Sequence, residues 1–330
     1  MTGPAPAPGI GATPAVRLRD VAPRFAFQSA DATTEQKVEL VDRLIAAGVP
    51  AIEVSSFVRP DLVPRLADAD EVFARIHRRP GVSLECCVGN LTGLRRAIDA
   101  GAHKAWFLLS ADEAFSVNNT GRTIDDALST LEQMSEVAGT ADITLGTYLI
   151  GAFGGPAGLP RTWTDLAPLG ARLSALGVHD WILADSFGYA APPQIQAMVK
   201  AATEITELGR LTVHIHDHRG MGLAGIAELA RLGITNIDTA LGGAGGHPAR
   251  PAARGGGVCT EDAAAMLELM GIPTGLDLPA LVEAATWLAE VVGVRSPGFL
   301  RHTGPVPRTA EDRRRDRPAF AWPTSTSSAP

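Results

Sequence analysis

The chain has 330 residues, 45% of them hydrophobic, which is long enough to bury a full core as one large α/β barrel or as two smaller domains. A formal charge of −7 and a pI near 5.6 leave no basic excess for nucleic acid, so a small-molecule partner is expected. No stretch offers about 18 uninterrupted apolar residues, and the N-terminal segment has neither a basic start nor a signal-length apolar run; no membrane partner and a cytoplasmic location are expected.

In chain order, residues 1–13 are rich in Pro, Ala and Gly, and the end from 297 carries "RTAEDRRRDRPAFAWPTSTSSAP". Neither holds a stable period, so both read as disordered tails flanking one domain, 14–296. The cluster Arg313, Arg314, Arg315 and Arg317 is interleaved with Asp312 and Asp316, which fits a solvated tail better than a phosphate site. Three cysteines, Cys86, Cys87 and Cys259, form no CxxC pair and are too few for a disulfide framework. They read as reduced thiols, Cys86 and Cys87 as packing within a strand.

Between the tails, short β-branched or apolar runs alternate with helical patterns. Strands are predicted at Ala15–Val21, Ala51–Ser55, Ser83–Val88, Lys104–Ser110, Ile143–Ala152, Trp181–Asp185, Leu211–Asp217 and Asn236–Leu241. The first intervening helix shows why: Thr33 or Thr34 caps it, Val38, Val41, Leu44 and Ile45 repeat at helical spacing, and Gly48 ends it. Eight strand-helix units without a GxGxxG fingerprint after the first strand predict a (β/α)8 TIM barrel rather than a doubly wound sheet. Chemistry in such a barrel gathers at the C-terminal strand ends.

Arg24 follows the first strand and can stabilise an oxyanion or bind a carboxylate. "RFAFQ" there reads as an apolar loop. Glu53 closes the second predicted strand and Asp185 the sixth; each suits catalysis or a structural salt bridge. In "VHIHDHRG", His214 and His216 lie two apart on a strand and face the same way, so both imidazoles can share a divalent ion, or pair as core histidines. Asp217 either orients one of those imidazoles or caps the next turn. The loop "LGGAGGHPARPAARGGGVCTED" carries His247, Arg250, Arg254, Cys259 and Glu261 among glycines that can serve as hinges for closure over a ligand.

The motifs "DVAPRFAFQ", "AIEVSSFVRPDLVPRLADADEV", "ADSFG", "VHIHDHRGMGLA" and "GGAGGHP…CTED" together resemble, in order and spacing, the 3-hydroxy-3-methylglutaryl-CoA lyase family of DRE-TIM metallolyases, over roughly Val16 to Val292. The resemblance implies a TIM barrel that binds Mg or Mn and cleaves a 3-hydroxy-3-methylacyl-CoA by a retro-Claisen step. It implies an acyl-CoA thioester as partner and allows a homodimer. His214 and His216 match the metal-ligand histidines. Arg24 matches the enolate-stabilising arginine, and Glu53, Asp185 and Glu261 match acids that line or support the site.

Three positions depart from the pattern. Phe25 stands where "PRDG" has an aspartate ligand, His247 where "GGCP" has cysteine, and Gly257 where an asparagine ligand is found. Two neutral imidazoles make a poor Mg site. With His247 as a third imidazole the set suits Zn, Fe or Mn; alternatively His247 moves protons, or the metal is lost. Asp20 is a weaker substitute ligand, being about 16 Å from Phe25 along an extended strand. The expected activity is carbon–carbon cleavage of a 3-hydroxyacyl-CoA or related hydroxy acid with an altered metal site. The alternatives are a binding or partner subunit without turnover, and a metal-independent aldolase or decarboxylase using Arg24 and His247.

Overall fold

The computed structural model describes residues 15–155, 161–245, 256–293 and 296–307. Strands β1 (Arg17–Asp20), β2 (Ala51–Phe57), β3 (Ser83–Val88), β4 (Lys104–Ser110), β5 (Thr144–Ile150), β6 (Trp181–Asp185), β7 (Leu211–Ile215) and β8 (Asn236–Thr239) pair in parallel and in sequence order. The register Arg17–Asn236 through Asp20–Thr239 joins β8 back to β1 and closes the barrel. The predicted barrel is therefore the observed one. Among the described residues no helix is long and apolar enough to cross a membrane.

Two apolar layers follow from the period of two along each strand. Outward residues such as Leu18, Ile52, Leu84 and Val213 pack under the surrounding helices in one large core. A smaller cluster of Cys87, Trp106, Tyr148, Ile182 and Ala184 fills the barrel interior. The helix Thr34–Ala46 begins as predicted, with Thr33 and Gln36 forming a reciprocal capping box, and Gly48 turns the chain back at φ +85°.

Gly146 on β5 faces the interior, where an added Cβ would sit 2.4 Å from the Trp106 ring and 2.9 Å from the Asp180 carbonyl oxygen. Backbone and a fully buried indole cannot both yield. Gly146→Ala is expected to cost about 3 kcal/mol, the upper range for overpacking, read as a lowered midpoint in urea unfolding.

Two expectations change. "RFAFQ" is not a loop: α1 (Ala22–Ser29) begins directly after β1, with Pro23 in its first turn and the Ala22 amide donating to Asp20 Oδ1 at 2.8 Å. The first strand is correspondingly shorter than Ala15–Val21. Secondly, ordered chain runs past 297. A short helix, Leu300–Thr303, buries Leu300, and the Phe299 and Leu300 amides donate to the Asp262 carboxylate at 2.9 and 2.7 Å. Composition hid this because both hydrogen bonds that hold the turn are donated by backbone amides.

Candidate active site

Helix α1 places Arg24 and Phe25 together at the mouth. The Phe25 ring packs edgewise against both imidazoles of β7 and its end, with centroids 5.2 Å from His214 and 5.7 Å from His216. The two imidazoles lie 4.8 Å apart, both buried. The Arg24 guanidinium carbon sits 4.0 Å from the Phe25 ring centre, a cation–π contact. The start of the glycine loop crosses this ring closely: a Cβ on Gly245, whose φ is +91°, would lie 2.5 Å from Phe25 Cβ. Glycine is required there by both space and backbone.

Glu53 lies third in seven-residue β2, before a bulge between Glu53 and Ser55, rather than at its end. It is fully buried and saturated. Oε1 accepts from Arg24 Nε at 2.9 Å and Cys87 Sγ at 2.5 Å, and Oε2 accepts from the Tyr148 hydroxyl at 2.6 Å and Arg19 Nη2 at 3.1 Å. Burial acts to raise its pKa, but the Arg24 and Arg19 charges, with the Cys87 and Tyr148 hydrogen bonds, hold it down to about 2. Glu53 is thus an orienting anion for Arg24 and not a base at neutral pH. Glu53→Gln leaves two buried guanidinium groups short of an anion; a loss of about 3 kcal/mol in thermal unfolding is expected.

Arg19, Tyr148 and Asp238 were not singled out in the sequence and Cys87 was read as strand packing, yet the four build the floor beneath the mouth. Arg19 donates from Nε to Glu85 at 2.6 Å and from Nη1 to Asp238 at 2.9 Å and the Tyr148 oxygen at 3.1 Å. Asp238 Oδ2 in turn meets His214 Nδ1 at 3.1 Å. The available signal was parity: Arg19, Glu85, Cys87, Tyr148, His214 and Asp238 occupy the inward-facing set of strand positions, where a charge has to be answered by another charge across the barrel. Cys87 is accordingly a hydrogen-bonding member of the site rather than packing alone.

The remaining acids hold loops. Asp185 accepts from the Tyr189 and Ala190 amides at 2.8 and 3.0 Å; its pKa is raised by burial, against these amides and the nearby His214 and His218. Asp217 accepts from the Gly222 amide at 2.9 Å and so caps the next turn. Glu261, at the start of the helix Thr260–Leu269, accepts from the Gly242 amide at 3.0 Å. Asp20 is no substitute ligand. Its carboxylate accepts from the Ala22 and Leu241 amides and from the Thr260 hydroxyl, at 2.8, 2.9 and 2.6 Å. The extended distance to Phe25 does not apply either, since α1 intervenes.

Burial pushes Asp20 up to about 7 and Glu261 up to about 8, against hydrogen bonds that favour their charged forms. Both bind protons more tightly folded than unfolded, so their stabilising share is complete below about pH 4 and is lost as pH rises through 7 and 8. Glu53 acts oppositely, losing its share as pH falls through about 2. Unfolding followed from pH 4 to 8 is expected to show falling stability, and Asp20→Asn to flatten the part between about 4 and 7.

The donor set does not fit the metal that the resemblance implies. Among the described residues no group of three or more His, Cys, Asp or Glu is arranged to hold a metal ion. A hydrocarbon ring lies against both imidazoles where the pattern has a carboxylate. Gly257 offers no side chain and pairs with His216 through backbone; a Cβ there would lie 2.9 Å from Ala240 Cβ. A hard cation needs several oxygen ligands. His247, Arg250 and Arg254 lie outside the described residues.

A family model described as HMGL-like matches residues 15–288. The chain is 32% identical over 284 residues to hydroxymethylglutaryl-CoA lyase YngG of Bacillus subtilis, covering 86% of this chain and 95% of that protein. It is 32% identical over 305 residues to (R)-citramalyl-CoA lyase of Chloroflexus aurantiacus, covering 88% and 96%. Among solved structures, an HMG-CoA lyase from Acinetobacter baumannii in complex with coenzyme A and 3-methylmalate superposes with a TM-score of 0.85 at 30% identity, covering 90% of this chain and 97% of that one.

Proposed function

The chain belongs to the HMGL-like family, and from that membership and the groups gathered at the barrel mouth we propose that it is a carbon–carbon lyase acting on a 3-hydroxyacyl-CoA or a related hydroxy acid. The observation that carries this reading is Arg24, oriented by Glu53 at 2.9 Å and set on Phe25 beside the His214 and His216 pair.

In the retro-Claisen step, the proton of the C3 hydroxyl passes to an imidazole nitrogen and the C3–O bond becomes a carbonyl. The C2–C3 bond breaks, and its electron pair moves onto the thioester as an enolate. Arg24 neutralises the enolate oxygen with a guanidinium whose position is fixed before the substrate arrives. The enolate carbon then takes that proton back from the imidazolium, giving the shorter thioester and a neutral imidazole, so atoms and charge balance. His214 and His216, which lack the oxygen ligands of a hard-metal site, are assigned to this proton transfer together with His247. Asp185 and Glu261 support the loops that frame it. The divalent metal of the resemblance has no step in this scheme.

A second reading, a barrel that binds a thioester without turnover, is favoured by one observation: Phe25 fills the space beside both imidazoles. Incubating the protein with 3-hydroxy-3-methylglutaryl-CoA, citramalyl-CoA and further 3-hydroxyacyl thioesters separates the two. Release of a shorter thioester, followed by mass spectrometry, supports the lyase. Thermal stabilisation by the thioesters with no cleavage replaces it with the binding reading.

A further inference from the structure

The lyase reading assigns the enolate's cation to Arg24 and proton transfer to the imidazoles, and these groups meet the same Phe25 ring while resting on different acids. Arg24 rests on Glu53 of β2, and His214 on Asp238 of β8. Two buried side chains touch both acids, Arg19 and the Tyr148 hydroxyl, which lies 2.6 Å from Glu53 Oε2 and 3.3 Å from Asp238 Oδ2; Arg19 is the charged one. We propose that Arg19 is a positioning residue that couples the two halves of the site, fixing Arg24 through Glu53 and His214 through Asp238. This inference rests on the lyase reading for its catalytic consequence, though not for its geometry.

The geometry is closed. Arg19 is almost wholly buried and its planar fork is consumed on three sides, with Nη2 on Glu53 at 3.1 Å, Nη1 on Asp238 at 2.9 Å and Nε on Glu85 at 2.6 Å. Tyr148 reinforces the same bridge: its hydroxyl accepts from Arg19 Nη1 at 3.1 Å and donates to Glu53 Oε2 at 2.6 Å. Its ring lies 6.0 Å from the His214 ring and 6.0 Å from the Arg24 guanidinium carbon. Asp238 has a side-chain exposure of 0%, so it has no solvent to lean on when Arg19 is changed.

A purely structural cation would need only to balance charge, and any buried cation of similar reach would serve. Arg19 does more, because a rigid fork fixes the directions of its bonds as well as their number. Its bonds reach residues 34 and 219 positions away in sequence, tying β1 to the two strands that flank it, β2 and β8. A shift in this fork therefore moves the carboxylate under Arg24 and the carboxylate under His214 together. Displacements of about 1 Å at reacting groups cost on the order of 100-fold in rate.

The test is Arg19→Lys, which keeps the charge and removes the fork, in full-length protein labelled with ¹⁵N at arginine and histidine. The side-chain resonances of Arg24 and of His214 are both expected to shift, while resonances of exposed arginines such as Arg59 stay fixed. If the lysine variant does not fold, Glu85→Gln takes its place: it weakens the third anchor of the fork, the Arg19 Nε bond at 2.6 Å, and so acts on Arg19 rather than on Glu53 or Asp238 directly, and both resonances are again expected to move. Unchanged Arg24 and His214 resonances, or a shift in only one of them, overturn the coupling, whatever happens to the melting temperature. For any hydroxyacyl-CoA that the wild type cleaves, Arg19→Lys is expected to lower kcat on the order of 100-fold with KM within about threefold. If the wild type cleaves none of them, the lyase reading fails and the resonances alone decide the coupling.

Discussion

Arg24→Met is expected to lower kcat/KM for the cleaved thioester by about 1,000-fold, the upper range for losing one preorganised donor to a developing oxyanion. The protein should still fold, because Glu53 keeps Arg19, Tyr148 and Cys87 as donors after Arg24 is gone. Arg24→Lys should recover little. The Nε that meets Glu53 at 2.9 Å and the Nη1 that meets Gln28 at 3.3 Å belong to one planar fork, which an ammonium group does not reproduce. Steady-state kinetics of the two variants beside circular dichroism checks this. A variant that is well folded and within tenfold of the wild type would remove Arg24 from the chemistry.

Phe25→Asp is the second large effect, and it is a gain. The new carboxylate would project from the same turn of α1 toward both imidazoles, whose centroids lie 5.2 and 5.7 Å from the phenyl ring it replaces. Without metal the variant should be less stable by about 3 kcal/mol, the lower end for losing a buried phenylalanine, because the Arg24 charge nearby offsets part of the cost of a buried anion. With Mn²⁺ the set becomes one carboxylate and two imidazoles, and the ion should stabilise the fold by about 2.7 kcal/mol at 100 times its Kd. Thermal unfolding with and without Mn²⁺, for wild type and variant, reads the difference. Equal responses from both proteins would mean that Phe25 does not block a metal position.

The fold was legible because the barrel repeats one unit: alternating apolar strands and capped, glycine-ended helices such as Thr34–Ala46 state their own boundaries. The mouth was legible where chemistry and position coincided, at Arg24, His214 and His216. Glu53 lies inside β2 rather than at a strand end, and its four donors come from β1, β3, β5 and α1; no local pattern announces partners so far apart. Arg19 gives no local signal, because what buries it is its meeting with Glu53, Glu85 and Asp238 from three other strands. "RFAFQ" was misread because Pro23 looked like a loop marker, although proline suits the first turn of a helix.

Arg24 at the mouth and Phe25 packed against both imidazoles together support the proposed cleavage by Arg24 and imidazoles, without the divalent ion. The direct measurement is turnover of the hydroxyacyl-CoA panel by untagged protein with and without EDTA, alongside elemental analysis of the same sample. The account predicts a shorter thioester released at the same rate in both and no stoichiometric metal. Cleavage abolished by EDTA and restored by Mg²⁺ or Mn²⁺, with metal bound one to one, would contradict it.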